Sequence, residues 1–420
     1  MRREPGLLAL ATVLITAPAF AAGYDTPILY SARHMGMGGT GVSWVSDPTA
    51  LFMNPAGIGA TEMASLTLNV DAIIATISAV PELDTPSTAG PAVLTPFLFG
   101  ASIRVCPMCT VGFGFYPVAS ASGGYEYTSK SSGVTVKDET TIRFYEIPVA
   151  FAFNYKDYVR FGIEWRVTLA ALNRLKKNGD VSFFELDTSG VDFKGFRLGL
   201  QVQPVSFLSF GVTYRHRVDV DAKADDGKAL TIPVTEVVFP LILPSRLAFG
   251  TRLDVPVKSV TLGLSIDAEY AWQSQNDKVG IETKELPPVE VYYYWTDAWT
   301  FRWGAEVGFL ENWAARVGYV WDQKTSNPQY SSSFGTPPAD TTTVTLGGGY
   351  KAKNWELNLA YAYRNGSVEI TPEDVAGREK TCLTCSSPGN HEITLHGSYL
   401  DFSWYFDLPS SVSSWSPKAE

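Results

Sequence analysis

Two pairs of cysteines, Cys106-Pro-Met-Cys109 and Cys382-Leu-Thr-Cys385, account for all four cysteines of this 420-residue chain. C-x-x-C spacing presents two thiols to one metal ion or closes one small disulfide. The four together would make either a four-cysteine zinc site or two local disulfides. Gly36-x-Gly38-x-x-Gly41 formally matches a dinucleotide fingerprint, but it lacks the strand that must precede it. Four histidines (His34, His216, His391 and His396) are scattered, and no Ser-His-Asp or paired-carboxylate arrangement is legible. Asp219, Asp221, Asp225 and Asp226 do not follow the spacing of a calcium loop and read as the solvated base of a loop. The histidines, glycines and aspartates point away from an enzyme, and the cysteine chemistry is left to the topology.

The elements that would carry such residues are set by the ends of the chain and by its periodicity. Arg2 and Arg3 precede a short apolar core, Leu7 to Ile15, and Ala19-Phe20-Ala21 fits an A-x-A cleavage site. Residues 1–21 therefore read as a signal peptide, with the mature start near Ala22. No later run approaches the 18 or more apolar residues of a spanning helix. Val237 to Leu243 is the longest, and Pro240 interrupts it. A membrane protein built from this chain must then be a closed β-barrel, because hydrocarbon leaves no partner for an unpaired backbone group. The net charge of -10 argues against nucleic acid as a partner.

Alternation supports the barrel. Phe161, Ile163, Trp165, Val167 and Leu169 oppose Arg160, Gly162, Glu164 and Arg166. Phe301, Trp303, Ala305, Val307 and Phe309 oppose Thr300, Arg302, Gly304 and Glu306. Trp355, Leu357, Leu359, Tyr361 and Tyr363 oppose Glu356, Asn358, Ala360, Ala362 and Arg364. A one-residue slip would put every charge into lipid, so register is strongly specified. Such segments predict fourteen strands near 64–79, 93–105, 110–125, 140–155, 159–171, 191–203, 207–222, 245–255, 260–274, 297–309, 313–324, 341–351, 354–370 and 391–406. The expected fold is all-β: a 14-stranded antiparallel transmembrane barrel over 61–406, with residues 407–420 as a periplasmic tail. Short turns such as 106–109 and 156–158 should face the periplasm and long loops the outside. Tyr292, Tyr293, Tyr294, Trp295, Trp299 and Trp313 suit the aromatic girdles. The inward charges Arg160, Glu164, Arg166, Arg197, Arg215, Arg302, Glu306 and Arg316 should form ion pairs.

This topology decides between the cysteine chemistries. Cys106 and Cys109 fall in a periplasmic turn, whereas Cys382 and Cys385 fall in the last outer loop. One zinc cannot reach both, and two local disulfides suit an oxidising compartment.

Residues 22–60 lack strand periodicity and are rich in Gly, Ala and Met. Ser31-Ala32-Arg33, Met35-Gly36-Met37-Gly38-Gly39, Asp47 and Asn54-Pro55-Ala56-Gly57 resemble the N-terminal hatch of the outer-membrane long-chain fatty acid and aromatic hydrocarbon transporters (FadL/TodX, OMPP1-like). Leu243-Pro244 with Phe249-Gly250, Asp267 to Trp272, Asn312 to Tyr319, and Leu346 to Tyr350 with Leu359 to Tyr363 are similar to later strands of that family. The resemblance implies a bacterial outer-membrane channel, monomeric and without cofactor, for passive uptake of hydrophobic small molecules. It implies a hatch inside the barrel, here residues 22–60, with Arg33, Gly36, Gly38, Gly39, Asn54, Pro55, Ala56 and Gly57 as its gating residues. It also implies sideways release at an inward kink in the third strand, where Pro117, Ser120, Gly123 and Gly124 stand. Proline breaks the ladder and paired glycines permit a bend.

For capture, Val237, Val238, Phe239, Leu241, Ile242 and Leu243 read as an exposed apolar patch on the fourth outer loop. Phe183 and Phe184 with Lys176 and Lys177 on the third could seat an acyl chain and a carboxylate. Two other classes compete. A secretion-system binding or escort barrel would need a protein partner at the outer loops, and a hydrolase would need a nucleophile and base at the lumen or rim.

Overall fold

The computed structural model describes residues 30–332, 334, 337–378 and 385–406. The expected signal peptide (1–21), residues 22–29 of the expected hatch, Cys382 and the expected tail after Phe406 lie outside the described residues.

Fourteen antiparallel strands form one closed barrel. They are β1 (Ala64–Glu82), β2 (Thr85–Leu94 and Phe97–Cys106), β3 (Cys109–Thr128), β4 (Thr135–Tyr155), β5 (Val159–Asn178), β6 (Val181–Val205) and β7 (Leu208–Arg215 and Val218–Ala229). There follow β8 (Ile232–Leu243 and Arg246–Val257), β9 (Val260–Ala271), β10 (Ala298–Phe309), β11 (Trp313–Asp322), β12 (Thr341–Lys351), β13 (Trp355–Ile370) and β14 (Gly389–Phe406). Each strand pairs with the next, and β1 closes the ring on β14 from Ala64 opposite Phe406 to Ser78 opposite Glu392. Closure pairs strand edges around the ring, a stretch of β3 excepted, which is what makes a sheet tolerable in a membrane. Three strands are split, and β2 and β8 break at prolines: Pro96 lies between the two segments of β2, and Pro244 between those of β8.

The side-chain alternation is the one the sequence implies. Leu359 and Trp165 are 57% and 48% exposed on the outer face, while Glu164, Arg166 and Arg364 are wholly buried within. The inward charges pair: Arg166 with Glu146, Arg197 with Glu164 at 2.9 Å, and Arg316 with Glu306 at 2.5 Å.

The outer ends differ from expectation. β5 and β6 run on to a tight turn at Gly179, and β7 and β8 meet at Leu230 and Thr231, so 172–190 and 223–244 are largely strand. The physical reason lies in the sense of the alternation. In β7, Val218, Val220 and Ala222 are buried inside while Asp219, Asp221 and Lys223 face out. Apolar-in and charged-out is the inverse of a lipid-facing strand, so these ends stand above the hydrocarbon and enclose an apolar interior. The aspartates are outward strand positions.

Cys106 and Cys109 are joined in the turn between β2 and β3. Cys385 is also disulfide-bonded, and it sits at the other end of the barrel, bridged to Ser332 through the backbone.

Candidate functional site

Residues 30–60 pack against inward faces around the ring. Two four-residue helices, α1 (Ala32–Met35) and α2 (Ala50–Met53), and a 3-10 turn (Pro55–Ala60) make up its regular structure. Inward carboxylates hold its backbone amides. Asp401 on β14 accepts from the Arg33 N–H at 3.0 Å, and Asp267 on β9 accepts from Gly41 and Val42 at 2.8 and 3.1 Å. The Gly38 N–H donates to Thr345 of β12 at 3.0 Å. On the opposite side, the Gln201 amide donates to the Val45 carbonyl and the Asn154 amide to that of Gly59.

Asn54 joins the segment to itself and to the wall. Its Oδ1 accepts from the Ala56 N–H at 3.2 Å, while Nδ2 donates to the carbonyls of Val42 (2.7 Å) and Leu200 (3.2 Å). Pro55 opens the 3-10 turn that follows, and Gly57 packs against the Val45 carbonyl. An Asn54→Ala variant leaves these buried groups short of partners, a loss of about 2 kcal/mol. Proteolysis within 30–60 should then rise roughly 30-fold in the purified protein. An unchanged cleavage rate would assign the anchoring elsewhere.

Gly38 and Gly39 adopt φ of 68° and 77°, which other residues take up only with strain. Gly36 faces Gly347 of β12 with no room for a side chain on either. The wall contributes as much as the segment. A Cβ on Gly318 of β11 would lie 2.0 Å from the Gly38 nitrogen, and one on Gly199 of β6 would lie 2.0 Å from Asn54 Oδ1. Sequence reasoning missed these wall glycines; their signal was glycine recurring at inward positions of otherwise polar faces.

Arg33 stands 3.6 Å from Glu356 and 3.9 Å from Asp47, with its guanidinium over Trp44 at 5.0 Å. His34 is buried beside the same ring, and its Nδ1 lies 2.8 Å from the Thr40 carbonyl. Burial holds the imidazole pKa down at about 4, so the ring is neutral and donates from Nδ1.

Above this polar level the interior turns apolar. One cluster runs from Tyr30 and Leu51 past Tyr116 and Val118 to Phe144, Leu172 and Leu186, and on to Val220 and Leu241. Val237, Phe239, Leu241, Ile242 and Leu243 belong to it, and they are buried strand residues of β8 rather than an exposed loop patch. Val238, at the intervening outward position, pairs through its backbone with Glu282 at 2.9 and 3.0 Å. Glu282 belongs to the β9–β10 loop, whose short hairpin (Lys278–Ile281 and Val289–Tyr292) buries Val279 and Ile281 on the cluster. Hydrogen bonds from the Thr235 hydroxyl and amide tie Glu285 of that loop down and hold its carboxyl below the usual range. The alternation of Val279, Ile281, Val289 and Val291 was the unread signal for this roof.

Phe184 is buried in the cluster and Phe183 packs at its edge. Lys176 and Lys177 do not converge. Lys176 pairs with Asp138 at 3.0 Å, and Lys177, one residue on, falls on the other face of β5.

The wall itself is interrupted at β3. Pairing with β2 ends at Phe99 opposite Phe115, and among the described residues β3 beyond that point pairs with β4 alone. Against β4 the register shifts between Pro117 and Ala119, and Val118 and Ala119 both point inward. This bulge, not the Ser120–Gly124 run, is the irregularity: Ser120, Gly123 and Gly124 pair regularly with Arg143, Thr140 and Glu139. The Tyr30 hydroxyl donates to the Pro117 carbonyl. Pro86 and Pro91 fall at register shifts of β2 against β1, and Pro96 lies between the two segments of β2, so the facing strand is itself irregular. Those prolines, too, were legible but unread.

Known proteins share this architecture. A family model for outer membrane protein transport proteins (OMPP1/FadL/TodX) matches residues 12–393. Among solved structures, a Pseudomonas aeruginosa FadL homologue superposes with a TM-score of 0.70 at 15% identity, over 92% of this chain and 100% of that one. The Pseudomonas putida toluene transporter TodX gives 0.68 at 16% identity over 93% and 100%. The Ralstonia pickettii toluene transporter TbuX gives 0.65 at 18% over 90% and 99%. A search of curated proteins finds no match.

Proposed function

This chain belongs to the outer membrane protein transport family (OMPP1/FadL/TodX), and from that premise we propose that it admits small hydrophobic molecules passively and releases them sideways into the membrane. Residues 30–60 act as the hatch in this reading. Cargo enters beneath the β9–β10 roof, crosses the apolar interior and leaves where β3 parts from β2. The observation that carries the reading is the contiguous cluster of buried apolar residues that runs from the roof to the Val118 bulge. A polar solute gains nothing there, whereas an apolar one exchanges water for a matching surface at about 25 cal/mol per Å². The hatch below is tied by buried hydrogen bonds, so the sideways route is open to apolar cargo without moving it.

The test is uptake of labelled toluene and of a labelled long-chain fatty acid by hosts lacking their own such channel. Wild type should import at least one. Leu241→Lys puts an unpaired ammonium into the lining and should reduce that uptake by at least about tenfold at matched surface levels. Uptake of neither compound by a folded wild-type barrel, or indifference to Leu241→Lys, would count against the route.

A further inference from the structure

We propose that the short-turn end of the barrel, beneath the hatch, holds an oxyanion between Arg33 of the hatch and Arg160 of β5. A cavity of about 270 Å³ opens there, lined by both arginines together with Trp44, Gln201, Arg252 and Asp157. The turns at this end are the short ones, which face the periplasm in barrels of this kind.

Arg252 is satisfied, with Asp254 at 2.8 Å and Glu306 at 2.7 Å. Arg33 and Arg160 have carboxylates within 4 Å but no close hydrogen bond to them. Their side chains are only 18% and 17% exposed. The carboxylates nearest Arg33 stand at 3.6 and 3.9 Å, beyond hydrogen-bond reach. Arg160 stands 3.8 Å from Asp157, and among the described residues its side chain hydrogen-bonds to Gln201 at a long 3.5 Å. The Nε of each is buried without a partner. Asp157 is engaged elsewhere, accepting from the Asn154 amide at 2.7 Å.

A guanidinium presents five donors in a planar fork, and one that is largely out of water needs acceptors for them. Two such forks on one cavity leave a demand that a carboxylate or phosphate meets and that chloride meets poorly. Because Arg33 rides on the hatch and Arg160 on the wall, the bound anion would tie one to the other. This assignment does not depend on which cargo the barrel carries.

The experiment follows thermal unfolding of the full chain, purified in detergent from the outer membrane. Sodium phosphate and sodium benzoate are titrated against sodium chloride at constant ionic strength. A hundredfold excess over Kd should raise Tm by about 3–6 °C and saturate. Arg160→Gln should abolish the saturable shift, as should Arg33→Gln if the first variant does not fold. Arg143→Gln, on the outer half of β4, should retain it. A response to benzoate alone assigns a carboxylate, and a response to phosphate alone assigns a phosphate. No shift beyond chloride, meaning water alone solvates the cavity, overturns the proposal. So does an equal shift in Arg160→Gln.

Discussion

Deletion of Val118 is expected to cut uptake of hydrophobic cargo by at least about tenfold while the barrel still folds. Val118 is the extra residue of the β3 bulge, with Tyr116 and Ala119 both buried on either side of the shift. Removing it leaves Tyr116 inward, Pro117 outward and Ala119 inward, so no side chain changes face. The unusual consequence is that the strand can straighten without moving a charge into lipid. A straight β3 would return towards the edge of β2. Two or three regained ladder bonds, at about 1 kcal/mol each, would then oppose opening by one to two orders of magnitude. The measurement is labelled toluene or fatty acid uptake, with heat-modifiable gel mobility confirming the fold. Full uptake through a folded deletion variant would place the exit elsewhere. Loss of folding would be met by Pro117→Thr, which restores an N–H donor to the edge without changing chain length.

Gly318→Leu should have the second large effect, on residues 30–60 rather than on cargo. The Gly38 nitrogen occupies the space that a Cβ at 318 would need, at 2.0 Å. The flanking strands cannot yield, because Gly318 pairs with Gly304 on one side and Thr345 on the other within unbroken ladders. Overpacking of this kind typically costs about 1–3 kcal/mol, enough to raise the displaced population of the hatch about tenfold. Cells carrying the variant should become several-fold more sensitive to a large hydrophilic antibiotic that intact outer membranes exclude. Gly308→Ala, where the nearest atoms lie at 3.8 and 3.9 Å, should not. Equal sensitivity in both would mean the segment does not seal the lumen.

Which features were legible follows from the range of the interactions that encode them. Period-2 alternation is local, and so the facing of Trp165, Leu359 and Arg364 and the count of fourteen strands could be read from the chain alone. The glycines and Asn54-Pro55 of the N-terminal segment also announced a tightly turned, non-strand element. The outer strand ends were misread as loops. Hydrocarbon imposes apolar-out alternation only across its own thickness, and beyond it the sense reverses, as Val218, Asp219 and Val220 show. A rule that seeks one sense stops at that boundary.

The tertiary structure alone decided which residues meet. Val237, Phe239, Leu241, Ile242 and Leu243 share one interior with Leu172 and Phe144 because the ring curves β8 round towards β4 and β5, a relation no spacing in the chain encodes. Lys176 and Lys177 looked like a pair, but adjacent residues on a strand point to opposite faces, and Asp138 from the neighbouring strand takes the first. The bulge at Val118 depends on register against β4, and the gap beside it on where β2 stops pairing. Gly318 and Gly199 serve a segment more than a hundred residues distant. Sequence by itself determined the barrel and its inward charges, because each is a property of a strand and its solvent. The contacts of residues 30–60, the apolar cluster and the interrupted wall were decided by closure, which alone sets which strands lie across the lumen from one another.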